Sequence, residues 1–170
     1  YVVYGLTLGN SAGYPVKQDV YKKGIAAIKT QLKETNIDAS TRAYMLYSLS
    51  YAENKDTKLF EEQLELLSKA ELNDYAIALL SMASKNFGNT EAAAKFSGML
   101  VKHAQDMGES GAYWGGQSWH YQWQDDKVQT TAMAIKALLA DPVSLKDNPE
   151  LMNRAIRWLM QQRQGGGWWN

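Results

Sequence analysis

A chain of 170 residues has room for one ordinary domain and buries about 70% of the surface its unfolded form exposes, so a sizeable core is expected. Lys and Arg number 18 and Asp and Glu also 18, for a formal net charge of zero. That balance argues against the clustered basic excess of a nucleic-acid footprint and disfavours electrostatic docking on an acidic membrane. Cysteine is absent, which removes disulfides, Cys-based metal sites and thiol nucleophiles from these residues. No apolar run approaches the roughly 18 residues of a membrane span, and no signal-peptide pattern is present.

Apolar segments of helical length, punctuated by Gly, Pro and Asn, predict an all-helical chain. The segments alternate between two kinds. "YVVYGLTLG" (1–9) is apolar almost all round. "VYKKGIAAIKTQL" (20–32) carries one stripe, Ile25, Ile28 and Leu32. "TRAYMLYSLSYAE" (41–53) is again apolar round most of its circumference. "KLFEEQLELLSKAE" (58–71) returns to a stripe of Phe60, Leu64 and Leu67, with Glu61, Glu62 and Glu65 facing away. "NDYAIALLSMASKNFG" (73–88) is apolar all round, and "TEAAAKFSGMLVKHAQ" (90–105) sets Phe96, Met99 and Leu100 on one side. "VQTTAMAIKALLA" (128–140) is nearly all apolar, and "PELMNRAIRWLMQQ" (149–162) places Leu151, Ala155, Trp158 and Leu159 on one face.

A helix apolar on every side must be covered on every side, whereas a one-stripe helix keeps a solvated face. The alternation therefore predicts consecutive helices switching between an inner and an outer layer: a loose repeat of helical hairpins, curved or closed, with a four-helix bundle as the weaker reading, probed most directly at Met45, Ile77 and Ile135. Tyr4, Tyr44 and Tyr75 fall near equivalent inner positions. Asn73 and Asn89 read as N-caps, Asn148 as an N-cap with Pro149 at the first helical position, and Gly88 and Gly165 as C-terminal stops.

The stretch "DMGESGAYWGGQSWHYQWQDD" (106–126) is too long and too aromatic for a plain connection. Tyr113, Trp114, Trp119, His120, Tyr121 and Trp123, interleaved with glycines, offer either a stacking platform for sugar rings or peptide side chains or a cap that buries its own aromatics. Trp114, Trp119, His120, Trp123, Asp125 and Asp126 form the candidate binding surface. Asp125 and Asp126 stand just ahead of a helix, where the dipole favours acids; they read as a cap, an acid/base pair or metal ligands. His103 falls on an exposed helix face. No catalytic, cofactor-binding or metal motif is recognisable, so no cofactor is expected.

"NRAIRWLMQQRQGGGWWN" (153–170) resembles a stretch of the thioester-containing helical domain of alpha-2-macroglobulins and complement components, in which a helix ending in W-L-x-x-Q-R runs into glycines and an aromatic residue. "TTAMAIKALL" (130–139), "NDYAIALLSMAS" (73–84) and "AYMLYSLSYA" (43–52) are similar to that domain's inner helices, and "YVVYGLTLGNSAGYPV" with "GIAAIKTQL" to the hairpin after its thioester region. The likeness runs the whole length of the chain in order and is closest in style to the bacterial branch. It implies about four of some six hairpins in a partial toroid, within a larger multidomain protein. The C-x-E-Q thioester motif would lie upstream. The family's function is protease trapping, so the resemblance implies a non-enzymatic module whose partners are proteases, through the full-length protein, and other domains of its own chain. It implies a periplasmic or envelope-associated location. The histidine that complement-type members carry in the loop equivalent to "KETNIDASTR" (33–42) has no counterpart here. Two alternatives remain open: a toroid enzyme related to terpenoid cyclases, although no D-x-D-D motif is present, and a carbohydrate-binding or carbohydrate-cleaving toroid that uses the aromatic loop at 113–126.

Overall fold

Five of the helices begin on an Asx residue whose side chain accepts an otherwise orphaned backbone N–H of the first turn. In the computed structural model, which describes residues 1–52, 55–116 and 126–163, these caps are Asp38, Asp56, Asn73, Asn89 and Asp126. The helices among the described residues are α1 (Val2–Ser11), α2 (Gln18–Gln31), α3 (Ala39–Leu49), α4 (Thr57–Leu67), α5 (Asp74–Phe87), α6 (Thr90–His103), α7 (Lys127–Ala140) and α8 (Leu151–Gln161). The fold is all-α. The described strands are β1 (Gln105–Asp106) and β2 (Ala112–Tyr113), an antiparallel pair with Gln105 opposite Tyr113.

Helix α5 is the centre of the molecule. Every residue from Asp74 to Ser84 is buried, because α3 and α7 flank it and α6 covers it. Alanines at 76, 78 and 83, all fully buried, let those neighbours approach closely, and Ser81 and Ser97 share a hydrogen bond of 2.8 Å across the α5–α6 seam. The helix stops on Gly88, whose φ of +85° closes a Schellman motif: Asn89 N–H donates to Ser84 C=O and Gly88 N–H to Lys85 C=O.

The expected stripes of the outer helices are the buried faces. Of those stripes, Leu32, Phe60, Leu67, Phe96, Leu100, Leu151, Ala155 and Trp158 are buried and Ile25, Ile28, Leu64, Met99 and Leu159 are half-buried; Gln63, Ala93 and Ser97 share the buried faces of α4 and α6. Phe60 stacks on Phe87 at 4.3 Å, tying α4 to the end of α5. Arg42, buried in α3, has no carboxylate partner among the described residues. It donates to the Leu32 and Glu34 carbonyls at the C-terminal end of α2 and to Gln63 of α4. The negative end of the α2 dipole faces this guanidinium.

Three expectations are corrected. First, the helix expected to be wrapped at 1–9 lies at an edge: it packs mainly on α2 and α3 and exposes Tyr1, Val2 and Leu8. Second, α7 is covered on one side and open on the other, with Leu139 64% exposed. Of the three probes of the inner layer, Ile77 is buried while Met45 and Ile135 are half-buried. Third, Asn148 does not cap α8. Pro149 and Glu150 form a turn, and the Asn148 side chain instead accepts from Arg154 Nη2 at 2.9 Å.

The row α1–α3–α5–α7 is curled. Lys136 of α7 reaches Tyr47 of α3 at 2.7 Å and Tyr4 of α1 at 3.1 Å. The tyrosines facing this curl stand in two tiers one turn away from the expected alignment: Tyr1 lies against Tyr44 at 4.5 Å, and Tyr4 against Tyr47 at 5.2 Å.

Candidate functional site

The α6–α7 connection leaves the last turn of α6 as the short β1–β2 hairpin and dives into the core at Trp114. The indole is fully buried; its Nε1–H donates to the Leu100 carbonyl at 2.7 Å, and the Trp114 backbone N–H donates to Thr131 Oγ1 of α7 at 3.0 Å. Both N–H donors of the residue are thus satisfied inside the protein, as burial of an indole requires. Trp114 is therefore core rather than binding surface.

One residue further on, the Gly115 N–H donates to Asp74 Oδ2 at 3.2 Å, and the other oxygen of that carboxylate pairs with His103 Nδ1 at 2.8 Å. Asp74 is 1% exposed; the His103 side chain is 38% exposed. A carboxylate oxygen accepts here, so Nδ1–H of His103 is the donor of the pair. A carboxylate that fixes the tautomer of a partly exposed imidazole is the positioning half of a general-base arrangement. No hydroxyl nucleophile hydrogen-bonds to His103 among the described residues, and there the pair ties the start of α5 to the end of α6 and to the loop.

Sequence reasoning read His103 only as a residue on an exposed helix face and did not single out Asp74, although a signal existed. In an antiparallel helical hairpin the first turn of one helix lies beside the last turn of the next, which brings position 74 to position 103. Asp126, named as a candidate, caps α7 by accepting from Gln129 N–H at 2.8 Å. Trp119, His120, Trp123 and Asp125 lie outside the described residues. Among the described residues no group of three or more His, Asp or Glu is placed to hold a metal ion, and no helix is long and apolar enough to cross a membrane.

The hairpin is clasped from outside by α8. Trp158 stacks on Tyr113 at 4.9 Å with 22° between the planes, and Lys127 Nζ lies 4.8 Å from the Tyr113 ring. Arg154 pairs with Asp106 at 2.7 Å, and Arg157 donates to the Glu109 carbonyl. Gly111, at φ +107°, is where the two backbones meet: a Cβ there would stand 2.7 Å from Trp158 Cβ and 2.9 Å from the Arg154 carbonyl. Only glycine combines that conformation with that approach.

No family model, curated protein or solved structure matches this chain. The residues and their geometry are therefore the whole basis for a functional reading.

Proposed function

We propose that the chain is a non-catalytic helical segment of a bacterial alpha-2-macroglobulin-like protease inhibitor, one part of an α/α toroid within a larger multidomain protein at the periplasm or cell envelope. The observation that carries this reading is the role of α8, whose Trp158 opens the W-L-x-x-Q-R stretch. Trp158 is spent as a clasp, stacked on Tyr113 and wedged against Gly111, while Arg154 and Arg157 bind the same hairpin. A helix face consumed in holding neighbouring hairpins together suits a scaffold whose chemistry, the thioester, belongs elsewhere in the parent chain. The wrapped helix α5 and the one-faced outer helices support the same view.

Two platforms of the carbohydrate alternative are already committed: Trp114 is buried and Tyr113 lies between Trp158 and Lys127. In the proposed reading the partners are proteases, engaged by the full-length protein, and other domains of its own chain. The test uses that full-length protein mixed with trypsin. The expected result is a slower complex on native gels in which the protease still cleaves a small chromogenic peptide but no longer digests casein. Undiminished casein digestion with no complex overturns the proposal. Methylamine incorporation by the same protein reports whether an upstream thioester is live.

A further inference from the structure

The curl of α1, α3 and α7 gathers a phenol–ammonium cluster whose hydrogen-bond valences can be counted. Tyr47 Oη accepts from Lys136 Nζ at 2.7 Å and from Tyr51 Oη at 3.4 Å, which uses both of its lone pairs. Its contact with Tyr4 Oη at 3.1 Å therefore has Tyr47 as donor. Tyr4 Oη in turn accepts from Tyr47 and from Lys136, the latter at 3.1 Å, so its lone pairs are also spent. Two donors are left over: the Tyr4 O–H and the third N–H of Lys136. Tyr47 is buried, Tyr4 half-buried and Lys136 exposed, so the spare donors lie at the solvent side of the cluster. Among the described residues no carboxylate pairs with Lys136.

We infer that Tyr4 and Lys136 form a binding site for a monocarboxylate bearing an apolar or aromatic body. Two adjacent donors, one charged and one neutral, match the two oxygens of a single carboxylate, and a charge-assisted pair of this kind is the strong class of hydrogen bond. Burial, followed by the hydrogen bonds with Tyr4 and Tyr51, raises Tyr47 far above the ordinary phenol range, so the charge of the cluster is that of Lys136 alone. One positive charge balances a carboxylate. A phosphate dianion would bring an uncompensated charge toward ring faces that are themselves negative, with Lys136 Nζ 5.4 Å and 5.7 Å from the Tyr47 and Tyr4 centroids. The apolar body is provided for by Ala132 and Leu139, both exposed, one turn to either side of Lys136 on α7.

The inference is independent of protease trapping. Its test follows tyrosine-ring and lysine NMR shifts of the chain titrated with benzoate, with benzamide as the neutral isostere and inorganic phosphate as the rival anion at matched ionic strength. Saturable shifts at Tyr4 and Lys136 with benzoate alone are expected. Lys136→Met abolishes them, Lys136→Arg retains them, and Tyr4→Phe weakens binding about tenfold, the worth of one hydrogen bond to a charged group. Thermal melts of each variant confirm the fold. A short peptide with a free carboxyl terminus, compared with its terminal amide, separates the two sources of the ligand: tighter binding than benzoate identifies a chain terminus, and equal or weaker binding a small molecule. No saturable shift with benzoate, equal binding of benzamide, tighter binding of phosphate, or unchanged affinity in Lys136→Met overturns the assignment.

Discussion

Leu79 and Leu139 sit in segments of nearly equal hydropathy, yet Leu79 is fully buried in α5 and Leu139 is 64% exposed on α7. Truncating each to Ala isolates the effect of tertiary cover. Leu→Ala removes the equivalent of three methylenes at about 0.8 kcal/mol each, so Leu79→Ala loses about 2.4 kcal/mol of transfer free energy, and the cavity left in a helix walled by α3, α6 and α7 raises the cost to about 3–4 kcal/mol. With roughly a third of its surface covered, Leu139→Ala loses at most about 0.8 kcal/mol and leaves no cavity. The assay is urea unfolding followed by far-ultraviolet circular dichroism and tryptophan fluorescence, coincidence of the two curves licensing a two-state treatment. At an m-value of about 2 kcal/mol per molar, the midpoint falls by about 1.5–2 M for Leu79→Ala and by less than about 0.5 M for Leu139→Ala, with m unchanged. Equal shifts for the two variants would refute the claim that α5 is wrapped and α7 is open.

Gly111→Ala places a methyl group against Trp158 and Arg154 in a backbone conformation that L-residues avoid, and it costs about 2–4 kcal/mol in the same unfolding assay. Gly13→Ala, also at positive φ but in open space, costs about 1 kcal/mol, the conformational penalty alone; equal costs would contradict the clasp. Asp74→Asn leaves one acceptor where two donors, His103 Nδ1–H and Gly115 N–H, each need one. It lowers the melting temperature by about 5–10 °C, and an unchanged melt with an unchanged His103 ring spectrum would contradict the buried pair. Burial, aided by the neighbouring phenols of Tyr1 and Tyr4, pushes Tyr44 up to about 12. The folded chain thus keeps a proton that the unfolded chain releases near 10, so this stability is complete below about pH 10 and is lost as pH rises toward 12. Tyr44→Phe should flatten the alkaline fall of the unfolding midpoint, and an identical slope would count against the shift.

The layering was legible where a helix has an obvious polar face. Glutamates at 61, 62 and 65 assign the outer side of α4 without any knowledge of its neighbours, and Phe60 and Leu67 are buried as expected. The caps at Asn73 and Asn89 and the stop at Gly88 were legible for the same reason: they are decided within four residues of chain. Asn148 misled because its side chain has a competing partner, Arg154, that a capping rule does not contain. Trp114 belonged to a run of aromatics whose members look alike in sequence. What separates it is a carbonyl on α6 that takes its indole N–H and a threonine on α7 that takes its backbone N–H.

The amino-acid pattern alone determined that the chain is helical, where its helices fall, and which face of each outer helix is apolar, since all of these follow from local periodicity and local hydrogen bonding. It could not decide whether an apolar surface finds a cover. Hydropathy records what a side chain tolerates, while burial depends on a neighbour contributed from elsewhere in the chain, so α5 is enclosed and α1 and α7, of similar composition, stand open. The same holds for the polar clusters. Asp74 meets His103, and Lys136 meets Tyr4 and Tyr47, across separations of 29, 132 and 89 residues, a proximity that only the packing of helices creates.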